Sequence, residues 1–147
     1  MARYVTTVRT ERPAAEVFAF MADLRNFARW DPGVSRVAQV EGEGGGLGTT
    51  FDVDVTTAGR TSTLRYETTT YDPPHEVVVR AGNRLLTSVD RVTVVEGAGS
   101  TVVTYDADLR LRGILAIGEL GLRLAFRRIG DRAAAGLRDA LDGVEVR

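Results

Sequence analysis

One short helix signal, then a series of strand-like runs between tight turns, then one long amphipathic helix: this order of parts most constrains what the 147-residue chain can fold into. Strands joined by a few residues pair antiparallel, because a parallel crossover needs a dozen residues or more. A single long helix can bury its apolar stripe only against the sheet those strands form. The expected fold class is therefore α+β, with a curved antiparallel sheet gripping a long C-terminal helix. Such a grip encloses space between sheet and helix, and function is expected there. The length fits one domain spanning residues 1–147.

The local signals are consistent with that frame. Tyr4 to Thr10 reads as a strand with Tyr4, Thr6 and Val8 on one face. Pro13 opens a helix in which its missing N–H does no harm, and Val17, Phe18, Phe20 and Met21 give that helix an apolar face. Leu24 to Trp30 reads as a second short helix, stopped by Asp31-Pro32-Gly33. Strands are expected over Val34–Glu41, Thr49–Thr57, Thr61–Tyr71, Glu76–Ala81, Leu86–Val95 and Thr101–Arg110. Leu64, Tyr66, Thr68 and Thr70 fall on one side of the fourth strand by simple alternation. The turns Thr57–Thr61 and Ala81–Leu85 are expected to border the mouth of the enclosed space.

The last helix is expected over Ile114 to Leu141, about 28 residues and about 42 Å long. At 100° per residue, Gly118, Leu122, Ala125, Ile129, Ala133, Gly136 and Ala140 fall near one meridian, with Glu119, Arg123, Arg127, Asp131 and Arg138 opposite. Glycine inside a helix costs about 1 kcal/mol relative to alanine, so Gly118, Gly121, Gly130 and Gly136 call for a reason. Either they let the helix lie close on the sheet, or they leave volume for a ligand. An empty apolar cavity of roughly 300 Å3 would cost on the order of 7 kcal/mol, which rivals the stability of a domain; a large cavity is sustainable when a ligand or water fills it.

Composition narrows the chemistry. Net charge is −1, which gives no pull toward nucleic acid or anionic lipid. No apolar run is long enough to span a bilayer, and Met1 to Val5 lacks an apolar signal core, so a cytoplasmic protein without stable membrane insertion is expected. There is no cysteine, and all 19 basic residues are arginine. Thiol chemistry, Schiff bases and a lysine-bearing phosphate loop are excluded. The single histidine, His75, sits in a Pro-rich turn and reads as solvated, so neither a Ser-His-Asp triad nor a zinc site has its material. No metal and no cofactor is expected. Asp52/Asp54 and Asp106/Asp108 each share one strand face, but the apolar residues lie on the other, which makes these pairs outward-facing. Arg65, Arg80, Arg84 and Arg91 read as outward ion-pair partners, unless one turns inward to anchor a ligand oxygen. The glycine-rich run Gly42 to Gly48 reads as a hairpin turn.

Alternation places Tyr66 and Thr68, then Asp90, Val92 and Val94, then Tyr105, Ala107 and Leu109 on the inward face. Tyr66, Asp90 and Tyr105 are then polar groups in an apolar setting, the make-up of a small-molecule site. The expected ligand-contacting set is Phe18, Trp30, Phe51, Tyr66, Thr68, Asp90, Val92, Tyr105, Leu109, Leu115, Gly118 and Leu122. No residue is singled out as catalytic, and the oligomeric state is left open.

Several motifs resemble a known family. Arg12-Pro13-Ala14-Ala15-Glu16-Val17-Phe18, Asp23, Asn26-Phe27 and Trp30-Asp31-Pro32-Gly33-Val34 are similar to the N-terminal signature of START-like proteins, in the polyketide cyclase/dehydrase and lipid-transport branch of the SRPBCC superfamily. Tyr71-Asp72-Pro73-Pro74, Gly99-Ser100-Thr101-Val102-Val103 and Leu109 to Gly113 resemble later landmarks of that branch. The resemblance implies a helix-grip fold with seven strands around the last helix and two small helices closing one end. It also implies a cavity for a lipid- or polyketide-like molecule. Three functions stay open: binding or carriage of an apolar small molecule; a cyclase or aromatase using Tyr, Asp or Arg as acid–base groups; and an interaction module without ligand. A buried Tyr66/Asp90/Tyr105 cluster within hydrogen-bond reach is the mark of the enzyme. Few polar groups and no strongly shifted pKa mark the carrier, and a filled interior with an exposed apolar patch marks the module.

Overall fold

A computed structural model describes residues 2–57, 59–111 and 119–146, with side chains described except at 57 and 119–124. The elements are β1 (Ala2–Thr10), α1 (Ala14–Ala22), a 3-10 turn (Leu24–Asn26), α2 (Phe27–Trp30), β2 (Val34–Glu41), β3 (Thr50–Thr57), β4 (Arg60–Asp72), β5 (Glu76–Gly82), β6 (Leu86–Gly97), β7 (Ser100–Leu111), α3 (Glu119–Leu141) and β8 (Val144–Glu145). All strands pair antiparallel in one sheet ordered β2-β3-β4-β5-β6-β7-β1-β8. This is the expected α+β helix-grip architecture. The sheet holds eight strands rather than seven, because the chain beyond α3 adds the two-residue β8 to the free edge of β1. The first part of the expected last helix, residues 114–118, lies outside the described residues.

The inward face of the sheet carries the core. Val8, Phe51, Val53, Val77, Val79, Val92, Val94 and Val103 are buried there, closed over by Val17, Phe18, Met21, Leu24, Phe27 and Trp30 from α1, the 3-10 turn and α2. The outward face is laced with ion pairs: Arg65 donates to Asp52 at 2.8 Å, Arg3 to Asp106 at 2.6 Å, and Arg91 lies 3.9 Å from Glu76. Both aspartate pairs therefore belong to the solvated face, and His75 is exposed in its turn. The turn Gly42 to Gly48 is braced by Gln39, which accepts from the Gly44 N–H at 3.0 Å and donates to its carbonyl at 2.9 Å.

Two readings from the sequence are corrected. Thr70 does not share a face with Tyr66 and Thr68, because a register shift between Thr68 and Thr70 inserts an extra residue and reverses the alternation. Tyr71 takes the inward place and packs against Phe18, ring centroids 5.5 Å apart. The stripe of α3 is also rotated. Ala125 is exposed, and the core-facing line runs through Phe126, Gly130, Ala133, Leu137 and Leu141. Bulky Leu137 and Leu141 bury more apolar area than alanines do, so they set the phase that small residues had suggested otherwise.

Gly130 and Gly136 are explained by close approach, not by ligand volume. A Cβ on Gly130 would run into the Tyr4 ring, and one on Gly136 into the Trp30 carbonyl. The C-terminal half of α3 is thus clamped onto β1 and α2. Gly118 lies outside the described residues, and the side chains around Gly121 are not described.

Candidate functional site: a buried acid–phenol cluster

Strand register sets out the inward face as rows. Phe51, Tyr66, Ala81, Ser88, Leu109 and Ala2 form one row across β3, β4, β5, β6, β7 and β1. Thr68, Val79, Asp90, Ala107 and Tyr4 form the next, and Val77, Val92, Tyr105 and Thr6 the one after. Asp90 is therefore central, with Ser88 two residues away on its own strand and Tyr105 diagonal on the neighbouring one, within side-chain reach.

Those neighbours form a chain of hydrogen bonds. The Tyr105 hydroxyl donates to Asp90 Oδ2 at 2.8 Å, and the Tyr66 hydroxyl donates to Ser88 Oγ at 2.8 Å. Asp90 is 5% exposed, and Tyr66 and Tyr105 are each 7% exposed. Burial pushes the Asp90 carboxyl up to about 7, against the opposing pull of the Tyr105 and Ser88 hydroxyls; the nearby Asp31 carboxylate raises it further. Burial first, and the charge of Asp90 second, hold both phenols well above their ordinary range. Asp31 is itself raised by burial, although the Gly33 N–H donates to it at 2.9 Å.

The cluster is roofed by aromatic rings. Trp30 packs edge-on against Tyr105 at 5.3 Å and lies 4.8 Å from Phe27, which also meets Tyr105 at 6.2 Å. The Trp30 Nε1–H is buried and has no hydrogen-bond partner among the described residues, and the same holds for the Thr6 hydroxyl beside Tyr105.

The expected residues divide as follows. Trp30, Tyr66, Asp90 and Tyr105 come together; Phe51, Val92 and Leu109 line the same face, Leu109 only half-buried. Thr68 is turned to a structural role, its hydroxyl 3.0 Å from that of Thr49. Phe18 finds its aromatic partner in Tyr71. Leu115 and Gly118 lie outside the described residues, as does the side chain of Leu122. Every described arginine is exposed or, at Arg12 and Arg138, half-buried in an ion pair, so none of them anchors a ligand from the inward face. Ser88 and Asp31 were not foreseen. Alternation from Asp90 marks Ser88 as inward, but a lone serine carries no signal of its own. Asp31 follows Trp30 in a helix stop and reads as a turn residue.

A separate open groove of about 690 Å3 lies on the outward face, where Arg80, Arg91, Asp106, Asp108 and Val89 are among its lining residues. No group of histidine, cysteine, aspartate or glutamate suited to hold a metal occurs among the described residues. No described helix is long and apolar enough to cross a membrane.

The site's chemistry makes one prediction directly. Tyr105→Phe removes a donor that favours the ionised acid, so the Asp90 carboxyl moves above its present value near 7. The expected loss of stability is about 1 kcal/mol when Asp90 is protonated and about 2 kcal/mol when it is ionised. Carbon-detected NMR titration of the Asp90 carboxyl, with urea unfolding at pH 5 and pH 8, measures both; an unchanged titration contradicts the assigned bond.

Comparison with known proteins agrees with this architecture. Three solved structures share the fold. A START superfamily protein from Mycobacterium smegmatis matches with a TM-score of 0.76 at 15% identity, covering 97% of this chain and 98% of its own. The Zhui aromatase/cyclase from a Streptomyces species matches at 0.74 and 18%, covering 95% and 90%. A major latex-like protein from Panax ginseng matches at 0.67 and 10%, covering 95% and 97%. A search of curated proteins finds no match. The family model described as polyketide cyclase / dehydrase and lipid transport matches residues 1–142, and the chain belongs to that family.

Proposed function

We propose that this protein binds and carries an apolar small molecule, lipid- or polyketide-like, between the inward face of the sheet and the N-terminal part of α3. The observation that carries the reading is an inward face that is mostly aliphatic and aromatic, with Phe51, Val53, Val77, Val79, Val92 and Val94 buried on it, and a few polar groups among them; the bonded Tyr66, Ser88, Asp90 and Tyr105 are the mark of the enzyme. Such a face has the composition of a site that holds its ligand by burial and orients it with a few polar groups. Phe51, Val92 and Leu109 supply apolar lining in this reading. Family membership supports it.

Native mass spectrometry of the purified protein tests it. The expected result is an added mass that organic solvent releases, or saturable uptake of decanol reported by the fluorescence of the single tryptophan, Trp30. A protein that arrives empty and takes up no decanol overturns the proposal.

A second reading, acid–base catalysis on the bound molecule, is favoured by one specific observation: the Asp90 carboxyl is buried, bonded to Tyr105 and held at about 7, where it can both take and give a proton. On a poly-β-ketone, ionised Asp90 removes a proton from a carbon between two carbonyls. The enolate carbon then bonds to a second carbonyl carbon of the same molecule. The oxygen of that carbonyl takes the proton back from Asp90 and becomes a hydroxyl. Ionised again, Asp90 removes the remaining proton from the carbon that formed the bond; its electron pair forms a C=C bond as the neighbouring hydroxyl takes the proton from Asp90 and leaves as water. Loss of one water mass from a linear poly-β-ketone, abolished in Asp90→Asn, supports this reading; product formation at the uncatalysed rate excludes it. The interaction-module reading gains no such support, since the exposed Val5, Val40, Leu47, Tyr71, Leu85, Val95 and Val144 each sit on a different strand or turn.

A further inference from the structure

The inward face combines acids with no base. The charge of Asp31 reaches Asp90 and raises it, and no described arginine reaches either. The hydrogens of both phenols are already donated, Tyr105 to Asp90 and Tyr66 to Ser88. A carboxylate offers about four acceptor positions. Asp90 receives the Tyr105 hydroxyl and the Ser88 hydroxyl, which leaves about half of them open toward the interior. Asp90 thus has acceptor capacity to spare, and no described arginine stands by to neutralise an anionic ligand head.

The surrounding rings point the same way. Trp30, Phe27 and Tyr105 crowd this end of the face, and aromatic rings attract a cation across their faces.

We infer that the occupant is an apolar amine: a molecule with a hydrocarbon body and a protonated nitrogen that Asp90 receives, with Asp31 and the aromatic rings around it. This inference rests on the binding function proposed above and narrows it to a ligand class. An anionic amphiphile such as a fatty acid is disfavoured, because its head would face two carboxyls with no compensating cation. A neutral alcohol is accepted but gains only an ordinary hydrogen bond, weaker than a charge-assisted one.

Decylamine, decanol and decanoate share one chain and differ in the head, so they separate the two claims. Binding of each is read from Trp30 fluorescence at pH 8, below micellar concentrations. The expected order is decylamine tighter than decanol by about tenfold or more, with decanoate weakest. In Asp90→Asn, the amine should lose that advantage and bind no more tightly than decanol does to the same variant. If none of the three binds, the cavity function fails and this inference with it. If decanol binds but decanoate equals or exceeds decylamine, the cavity function stands and the amine assignment is overturned. An amine preference that survives in Asp90→Asn also overturns it, since the nitrogen would then be held elsewhere.

Discussion

Gly136→Ala is expected to destabilise the protein by about 3 kcal/mol or more. In an unconstrained helix the same change gains about 1 kcal/mol, because alanine is the better helix former. The sign reverses here because the new Cβ would meet the backbone of Trp30, its carbonyl first. Backbone yields less readily than a side chain. The Trp30 side chain is buried between Phe27 and Tyr105, and the Asp31 N–H is bound to the Phe27 carbonyl at 2.8 Å, so α2 cannot retreat without pulling Trp30 out of the core. Gly130→Ala provides the graded control. Its Cβ would meet the Tyr4 ring, a half-buried side chain whose hydroxyl donates to exposed Asp131 at 2.9 Å and which can swing away. Urea unfolding should rank the wild type above Gly130→Ala and Gly130→Ala above Gly136→Ala. A stabilised Gly136→Ala would mean that α3 does not lie where the clamp puts it.

Asp90→Asn should stabilise the protein, and only at high pH. The unfolded carboxyl titrates near its ordinary value of 3.8, while in the fold burial moves it to about 7. Between those values the folded chain binds a proton that the unfolded chain has lost. Stability therefore falls as pH rises through this window and levels off above it. At about 1.4 kcal/mol per pH unit, a displacement of roughly three units amounts to on the order of 4 kcal/mol. Asparagine resembles the protonated acid in shape and carries no charge. The variant should match the wild type at pH 4 and exceed it by several kcal/mol at pH 9. Asp31, raised by burial, acts in the same direction in both proteins and cancels from the comparison. Asp23 has the opposite sense, since the Arg25 guanidinium bonds to it and holds it low, so its contribution is lost on acidification. Thermal unfolding of both proteins across pH 4 to 9 gives the difference curve. A flat curve would show that Asp90 ionises freely and is not in the apolar setting assigned to it.

Legibility in the sequence followed how local each feature is. Strand limits were readable to within one or two residues, because alternation and turn residues are local properties of β2 to β7. The inward placement of Tyr66, Asp90 and Tyr105 followed from the same period of two. What failed was set by partners. The Thr68/Thr70 irregularity belongs to the pairing of β4 with β5 and leaves no mark in β4 alone. The phase of α3 was drawn through its small residues, yet the burial of Leu137 and Leu141 decides it. The sequence leaves Gly136 open between close packing and room for a ligand, because the carbonyl that needs the space is about a hundred residues away in the chain. Ser88 and Asp31 join the site only through distance, and no motif announces either.

β8 has a consequence beyond completing the sheet. An open margin of free N–H and C=O groups invites another chain to add a strand, and β-rich proteins that leave one bare tend to aggregate. Here Val144 and Glu145 cover β1 at Val8 and Arg9, near its C-terminal end, with the Val146 N–H bonded to the Thr7 carbonyl at 2.8 Å and Arg138 fastening Glu145 at 2.9 Å. The opposite margin, β2, is interrupted by register shifts near both of its ends. One border is capped at one end and the other is irregular, which shortens the run of free groups that each offers to an incoming strand.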